Sequence, residues 1–265
     1  MAEYGEREVF IPGMISDLGG YPLNTSRCAK QDIKFGYPVM GYLGDYTSAY
    51  NYKNDTAKIV WDGDFVTSNT IDITVNGVAA DTVTFDTSHD DTMDLVLAAV
   101  TALTVADPVL GTVNINASLD STDTNNRTLL IHGEGLELTV TENVLLGAGQ
   151  ASGTITYSSD QVFLGIATFR QKEPSTITGL DKAKWNIDEV VSVAERHRIW
   201  GVTAGSPLSG GKVYINSDGK FATSGTEVTT AQYIGNKETN ADLSVDGAPI
   251  DVHGSVKLNA VITWS

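Results

Sequence analysis

The sequence predicts a mainly β fold, a β-barrel or β-sandwich host domain with a small inserted α+β domain. Three observations predict it. Short Val-, Ile- and Leu-rich runs are separated by Thr, Ser, Asn and Asp, with 26 Gly but only seven Pro, the profile of strands joined by tight turns. Only the stretch after Ser88 shows convincing helical spacing. The texture changes near Thr56 and again near Ser158, as an insertion between two parts of one domain would make it. At 265 residues with 41% apolar side chains, the chain suits one large β domain or two modest ones, with enough material for a packed core.

Residues 1–58 read as an extended arm or long loop leading into the host domain. The apolar run Val9-Phe10-Ile11-Pro12-Gly13-Met14 is broken by a Pro-Gly pair, and after Leu18-Gly19-Gly20-Tyr21-Pro22 there is little periodicity until Phe35. Punctuation at this density disfavours both a helix and a central strand. An apolar arm needs a partner surface, either its own domain or a neighbouring subunit.

Residues 59–156 read as a self-contained insert, expected to project from its host. Ile71, Ile73 and Val75 alternate with polar residues, Asn76-Gly77 is the strongest two-residue turn signal, and Val83 and Phe85 follow on the return, so a hairpin is predicted. Ser88 can cap a helix, with Asp90 and Asp91 placed at the positive end of its dipole. Met93, Val96, Leu97, Val100 and Leu103 share one stripe, and Asp107-Pro108 sets the end of the helix near Ala106. Strands are predicted at 113–117, 128–132 and 136–144, around a polar loop at 120–126. The insert is therefore ββα followed by about three strands, one sheet against one helix.

Residues 157–265 return to a β pattern and complete the host. Strands are predicted at 162–169, 190–195 and 198–202, a hairpin at 212–221 turning at Asp218-Gly219, and a closing strand at 256–264.

Composition restricts function. With 33 acidic against 17 basic residues the formal charge is −16, and no stripe of Lys or Arg offsets it, so direct nucleic-acid contact is not expected. Cys28 is the only cysteine, which excludes an internal disulfide framework and a thiolate zinc cluster. Met1 to Glu6 lack the basic and apolar regions of a signal peptide, and no apolar run approaches the roughly 20 residues of a membrane span, so neither export nor a membrane partner is expected.

His89, His132, His197 and His253 stand far apart, none with a second His or Cys at ligand spacing. Gly205-Ser206-Pro207-Leu208-Ser209-Gly210-Gly211-Lys212 resembles a phosphate-binding loop superficially, but its first Gly is off register, Val213 stands where Ser or Thr is needed, and a strand follows it. The oxygen-rich 120–126 loop lacks the glycine and terminal Glu of a calcium hand. Asn24, Asn54, Asn116 and Asn126 begin glycosylation sequons, which need a secretory route the sequence does not signal. Trp200 and Trp264 sit in apolar strand patterns that suit a core, whereas Trp61 and Trp185 have charged neighbours that suit an interface. No catalytic residue, metal or cofactor is expected.

Phe10-Ile11-Pro12-Gly13-Met14-Ile15-Ser16-Asp17, followed by Ile33-Lys34-Phe35-Gly36-Tyr37-Pro38-Val39, resembles the opening of the phage structural cement proteins, a family of capsid decoration proteins. That family shows a Pro-Gly-Met-hydrophobic-small-Asp stretch and then Pro-Phe-Gly-x-x-Val; Lys34 replaces its usual Pro. Val162-Phe163-Leu164-Gly165-Ile166-Ala167, Asp188-Glu189-Val190-Val191-Ser192-Val193 and the 210–221 hairpin are similar to later phrases of the family, in the same order. The segment from about Thr56 to Ser158 departs from the pattern and resembles ββα insertions of flagellin-type and phage surface proteins.

The resemblance implies a non-enzymatic protein, made in the bacterial host cytoplasm, that binds the outer surface of a phage capsid through the major capsid protein and cements the shell. A homotrimer is expected, with a dimer second, because closed symmetric oligomers are the rule. Phe10, Ile11, Pro12, Gly13 and Met14 of the arm, together with Trp61 and Trp185, are the expected capsid or subunit contacts. The rival expectation is a phage surface or fibre-type protein whose insert binds a host receptor or glycan through an exposed aromatic.

Overall fold

The structure, a computed structural model, describes residues 12–17, 23–45, 47–145, 151–169, 184–240, 245–254, 256–257 and 261–262. It is mainly β and divides into two compact units, Met1–Tyr52 with Gln161–Asn259 and Lys53–Asp160 with Ala260–Ser265.

The first unit is organised by one long strand, Val190–Val202. Its first half pairs with Leu23–Ala29 and its second half with Val245–His253, while Ile15–Asp17 and Val162–Ala167 also join it. Two strands were expected here, 190–195 and 198–202; the structure makes one, with a register shift between Ala194 and Arg196. Beyond Val245–His253 the sheet continues through Thr226–Tyr233 and Lys212–Ile215 to Phe221–Ala222. Thr203 bridges Phe221, and Ala204 N–H donates to Phe221 O at 2.7 Å, so the outermost strand returns to the end of the organising one. The result is a nearly closed barrel. Val213, Ile215, Phe221, Tyr233, Ile250 and Val252 fill it with no exposed surface. Tyr233 Oη donates to Ala222 O at 3.2 Å and lies 3.1 Å from Thr203 Oγ1, which satisfies its hydroxyl inside the core.

The leader is the largest departure from expectation. Its described part is not a free arm, because Ile15–Asp17, Leu23–Ala29, Ile33–Lys34, Pro38–Gly41 and Ser48–Ala49 are all strands of this unit. Gly13 N–H donates to Trp200 O at 2.7 Å, Trp200 N–H to Met14 O at 2.9 Å and Phe169 N–H to Gly13 O at 2.8 Å. Two glycines permit this approach. Gly13 and Gly36 have φ of +76° and +74°, and a Cβ on Gly13 would stand 2.5 Å from Ala167 O, one on Gly36 2.8 Å from Gly13 N.

Among the described residues the second unit holds two larger sheets, a two-stranded one and one helix, where one sheet was expected. The five-stranded sheet runs Asn116–Leu119, Thr128–His132, Thr56–Trp61, Gly153–Ser158, Val261–Ile262. The four-stranded sheet places Val140–Leu145 on one side of Thr70–Val75, and Val78–Ala79 with Val83–Thr84 on the other. Thr56–Trp61 makes the difference, because its alternating Ala57, Ile59 and Trp61 join the same core as Ile71, Ile73 and Val75 from the second sheet. Asn76 and Gly77, with φ of +49° and +78°, form the two-residue turn of the predicted hairpin.

Ser88 caps the helix His89–Thr101 by accepting from Asp91 N–H, and Met93, Val96 and Val100 are its buried stripe. The helix ends five residues before Ala106. Thr104–Asp107 leaves it to pair with Gly111–Asn114, and Asp107 Oδ1 accepts from Val109 N–H and Leu110 N–H at 2.8 Å each, closing that turn. β-Branched Thr101, Thr104 and Val105 favour the strand.

Of the expected 256–264 strand, residues 258–260 and 263–264 lie outside the described residues. Val256–Lys257 pairs with Val162–Phe163 in the first unit, and Val261–Ile262 pairs with Tyr157–Ser158 in the second. No helix among the described residues is long and apolar enough to cross a membrane.

Candidate functional site

The expected contact residues divide by burial. Phe10 and Ile11 lie outside the described residues. Pro12 and Gly13 are buried in their own unit and Met14 is half-buried, so this stretch is already spent on the chain that carries it. Trp61 is 1% exposed; its indole N–H donates to Glu142 Oε2 at 3.3 Å and its ring meets Phe65 edge-on at 5.2 Å. Trp185 is 7% exposed, donates to Thr168 O at 3.1 Å and meets Phe35 edge-on at 5.9 Å. Both are core residues rather than interface residues. Charged neighbours in sequence misled because they alternate to the opposite face of a strand. Trp200 is half-buried, and Trp264 lies outside the described residues.

His89 is spent structurally, and the other histidines stand apart from it. His89 Nδ1 accepts from Phe65 N–H at 3.0 Å, which leaves its Nε2–H to donate to Asn126 O at 3.0 Å. His132 lies 3.2 Å from Thr56 Oγ1, His197 is buried, and His253 is exposed 3.9 Å from Asp251. Among the described residues, no three His, Cys, Asp or Glu side chains gather to hold a metal ion.

In the 120–126 loop, Asp120 accepts from Thr122 Oγ1 and N–H and from Lys58 Nζ, which together hold its carboxyl at about 2. Asp123 accepts from Thr128 Oγ1, Asn125 N–H and Arg127 N–H. Those carboxylates organise the loop itself.

Charge is divided unequally between the units. Residues 53–160 carry 16 acidic and three basic side chains, a formal −13, whereas the remaining residues carry 17 and 14, a formal −3. Each of the three cations, Lys53, Lys58 and Arg127, is already in an ion pair, with Glu137, Asp120 and Asp64. The second unit therefore presents a polyanionic surface that repels its own copies, and the first unit lacks that barrier to protein contact.

The first unit also presents the most exposed large apolar side chains among the described residues, two of them on hydrogen-bonded turns. Leu43 is 72% exposed at the tip of Tyr42–Asp45, where Gly44 has φ +93° and Asp45 N–H donates to Tyr42 O at 3.1 Å, as in a type II turn. Burial would raise the Asp45 carboxyl, but bonds from Ser48 and Thr47 outweigh it and hold the group at about 2. Tyr42 meets Tyr50 edge-on at 5.2 Å behind the turn.

Leu208 is 69% exposed on a second tight turn, closed by Gly211 N–H to Leu208 O at 2.9 Å, with Gly210 at φ +82°. Both are apolar tips whose backbone is already fixed by its turn before any partner arrives. Sequence reasoning passed over both; the signal was a leucine just ahead of a turn glycine, in Leu43-Gly44-Asp45 and Leu208-Ser209-Gly210.

A protein-family model described as "Structural cement protein (E217 gp24/Pam3 gp6)" matches residues 109–250, more than half of the 265. The match takes in the 162–167, 188–193 and 210–221 phrases and also runs through residues 109–156, which the sequence comparison had set apart. No curated protein matches the chain.

Proposed function

We propose, on the premise that the chain belongs to the structural cement protein family of bacteriophages, that it binds the outer surface of an assembled capsid and stabilises the shell. The family match carries this reading. The near-neutral first unit with its leucine-tipped turns is the part suited to meet the major capsid protein, while the charge of the second unit disfavours contact with other copies. A ligand that binds only the assembled state stabilises it by mass action, and many copies per particle multiply a modest affinity. A homotrimer is the favoured state, with a dimer second. The role is mechanical rather than catalytic, and its place is the exterior of the virion. With Trp61 and Trp185 in cores, no specific observation favours the receptor or glycan reading.

The test is addition of purified protein to undecorated expanded capsids. Saturable binding with a raised disruption temperature is expected, and failure to bind at micromolar concentration sinks the proposal. Leu43→Asp with Leu208→Asp is expected to weaken binding roughly 100-fold or more, the loss of two buried leucines, while leaving the isolated protein folded.

A further inference from the structure

Asn76-Gly77 is the one Asn-Gly step in the sequence, and it forms the tip of the hairpin between Thr70–Val75 and Val78–Ala79. Asparagine ahead of glycine readily loses its side-chain amide, because glycine has no Cβ to keep its backbone nitrogen away from the neighbouring Cγ. The glycine nitrogen attacks that Cγ and a new C–N bond forms, the Cγ–Nδ2 bond breaks, and ammonia leaves behind a five-membered succinimide. Water then opens the ring at either carbonyl, giving aspartate or isoaspartate. The reaction needs no oxidant, metal or enzyme.

In the folded second unit the reacting amide is engaged elsewhere. Asn76 Nδ2 donates to Glu137 O at 3.0 Å, and Asn76 Oδ1 accepts from Thr139 N–H at 2.6 Å. Asn76 N–H also donates to Thr139 O at 2.7 Å, so three hydrogen bonds tie this one residue to the 137–139 segment. Attack by Gly77 requires the carboxamide to leave both of its partners and swing over the next peptide. Access of water is no barrier, since Gly77 is exposed and nothing lies within 4 Å of where a Cβ would stand on it. The bonded amide itself holds the reaction back.

The same contacts reject the products. A carboxylate at position 76 still accepts from Thr139 N–H, but its second oxygen stands where Glu137 O needs a donor, and an acceptor then faces an acceptor. Isoaspartate goes further, adding a backbone methylene to a two-residue turn whose flanks, Val75 and Val78, are a register pair. Either product adds a negative charge to the unit of formal charge −13.

We propose that Asn76 is a modification site of this chain, a deamidation switch that the folded second unit keeps shut. Separation of the 70–79 hairpin from residues 137–139 releases it. Once converted, the turn cannot remake the same contacts, so the change runs one way and marks second units that have been open.

The first test follows ammonia loss at Asn76 in the full chain by peptide mass spectrometry, with isoaspartate counted by isoaspartyl methyltransferase labelling. Samples are held at mildly alkaline pH with and without guanidinium chloride. Loss in the folded chain is expected to be at least roughly tenfold slower, because reaction must await a transient opening, and any smaller difference overturns the gate. Asn76→Asp reads the consequence of conversion. Its denaturant midpoint is expected to fall with an unchanged slope, and amide exchange across residues 70–79 to quicken; a midpoint equal to that of the unsubstituted chain overturns the one-way marking. Neither measurement involves a capsid, so the switch and the cement reading fail separately.

Discussion

The two units solve the same problem, closing a β core, with different mixtures of contact. The second unit adds local contacts, with a hairpin turning at Asn76-Gly77, a helix soon after it, and Thr104–Asp107 paired with Gly111–Asn114, to a long-range frame in which Thr56–Trp61 pairs with Thr128–His132 and Gly153–Ser158. In the first unit a single strand, Val190–Val202, gathers partners from residues 15–17, 23–28, 166–167 and 247–253. The unit with the local contacts carries the charge, −13 of the total −16. The unit gathered on one strand ties distant parts of the chain together and has a formal charge of only −3.

The largest expected effects break one unit while sparing the other. Trp61→Ala should cost about 3–5 kcal/mol in the second unit by removing a large, fully buried side chain. Gly165→Ala should cost more than about 3 kcal/mol in the first, since Gly165 has φ +152° and a Cβ there would stand 2.2 Å from Ala194 O. Amide exchange resolved by region checks both. Exchange that rises equally in both units for either variant would show that the division has no energetic meaning.

A milder change sharpens the comparison. Ser88→Ala removes the helix cap and should lower the stability of the second unit by about 1 kcal/mol, read as a shift in denaturant midpoint with an unchanged slope.

The smallest effect is acidic. The folded values of Asp45 and Asp120, about 2 against an ordinary 3.8, mean that both stabilise the fold above about pH 4 and that this contribution fades as pH falls toward 2. Asp120→Asn should flatten that decline for the second unit alone, and Asp45→Asn for the first alone, followed by circular dichroism between pH 5 and 2 and assigned to a unit by exchange.

The sequence was legible where its signals were local. Asn76-Gly77 and Ser88 act within a few residues, and the structure uses both as read. The leader was opaque because its partners are distant: Gly13 bonds to Trp200, and Cys28 pairs with Val190. Val245–His253 was missed because Pro249 argues against a central strand, yet it sits opposite Trp200 with its carbonyl accepting from Ile234 N–H at 3.0 Å. Trp61 and Trp185 were misplaced because their hydrogen-bond partners, Glu142 and Thr168, cannot be inferred from flanking charge. Mainly β architecture and family were within reach of pattern alone. The contact surface required knowing which side chains the fold leaves outside.

The interlock of Gly13 and Gly36 with Ala167, Phe169 and Trp200 sets an order of events during synthesis. Most of the second unit is translated before residue 167 is made, so most of its strands exist before the interlock can form. Gly13 must wait for Trp200, translated 187 positions later. A nascent chain of this protein thus carries the acidic stretch, formal charge −13, before the closing strands of the barrel have been made.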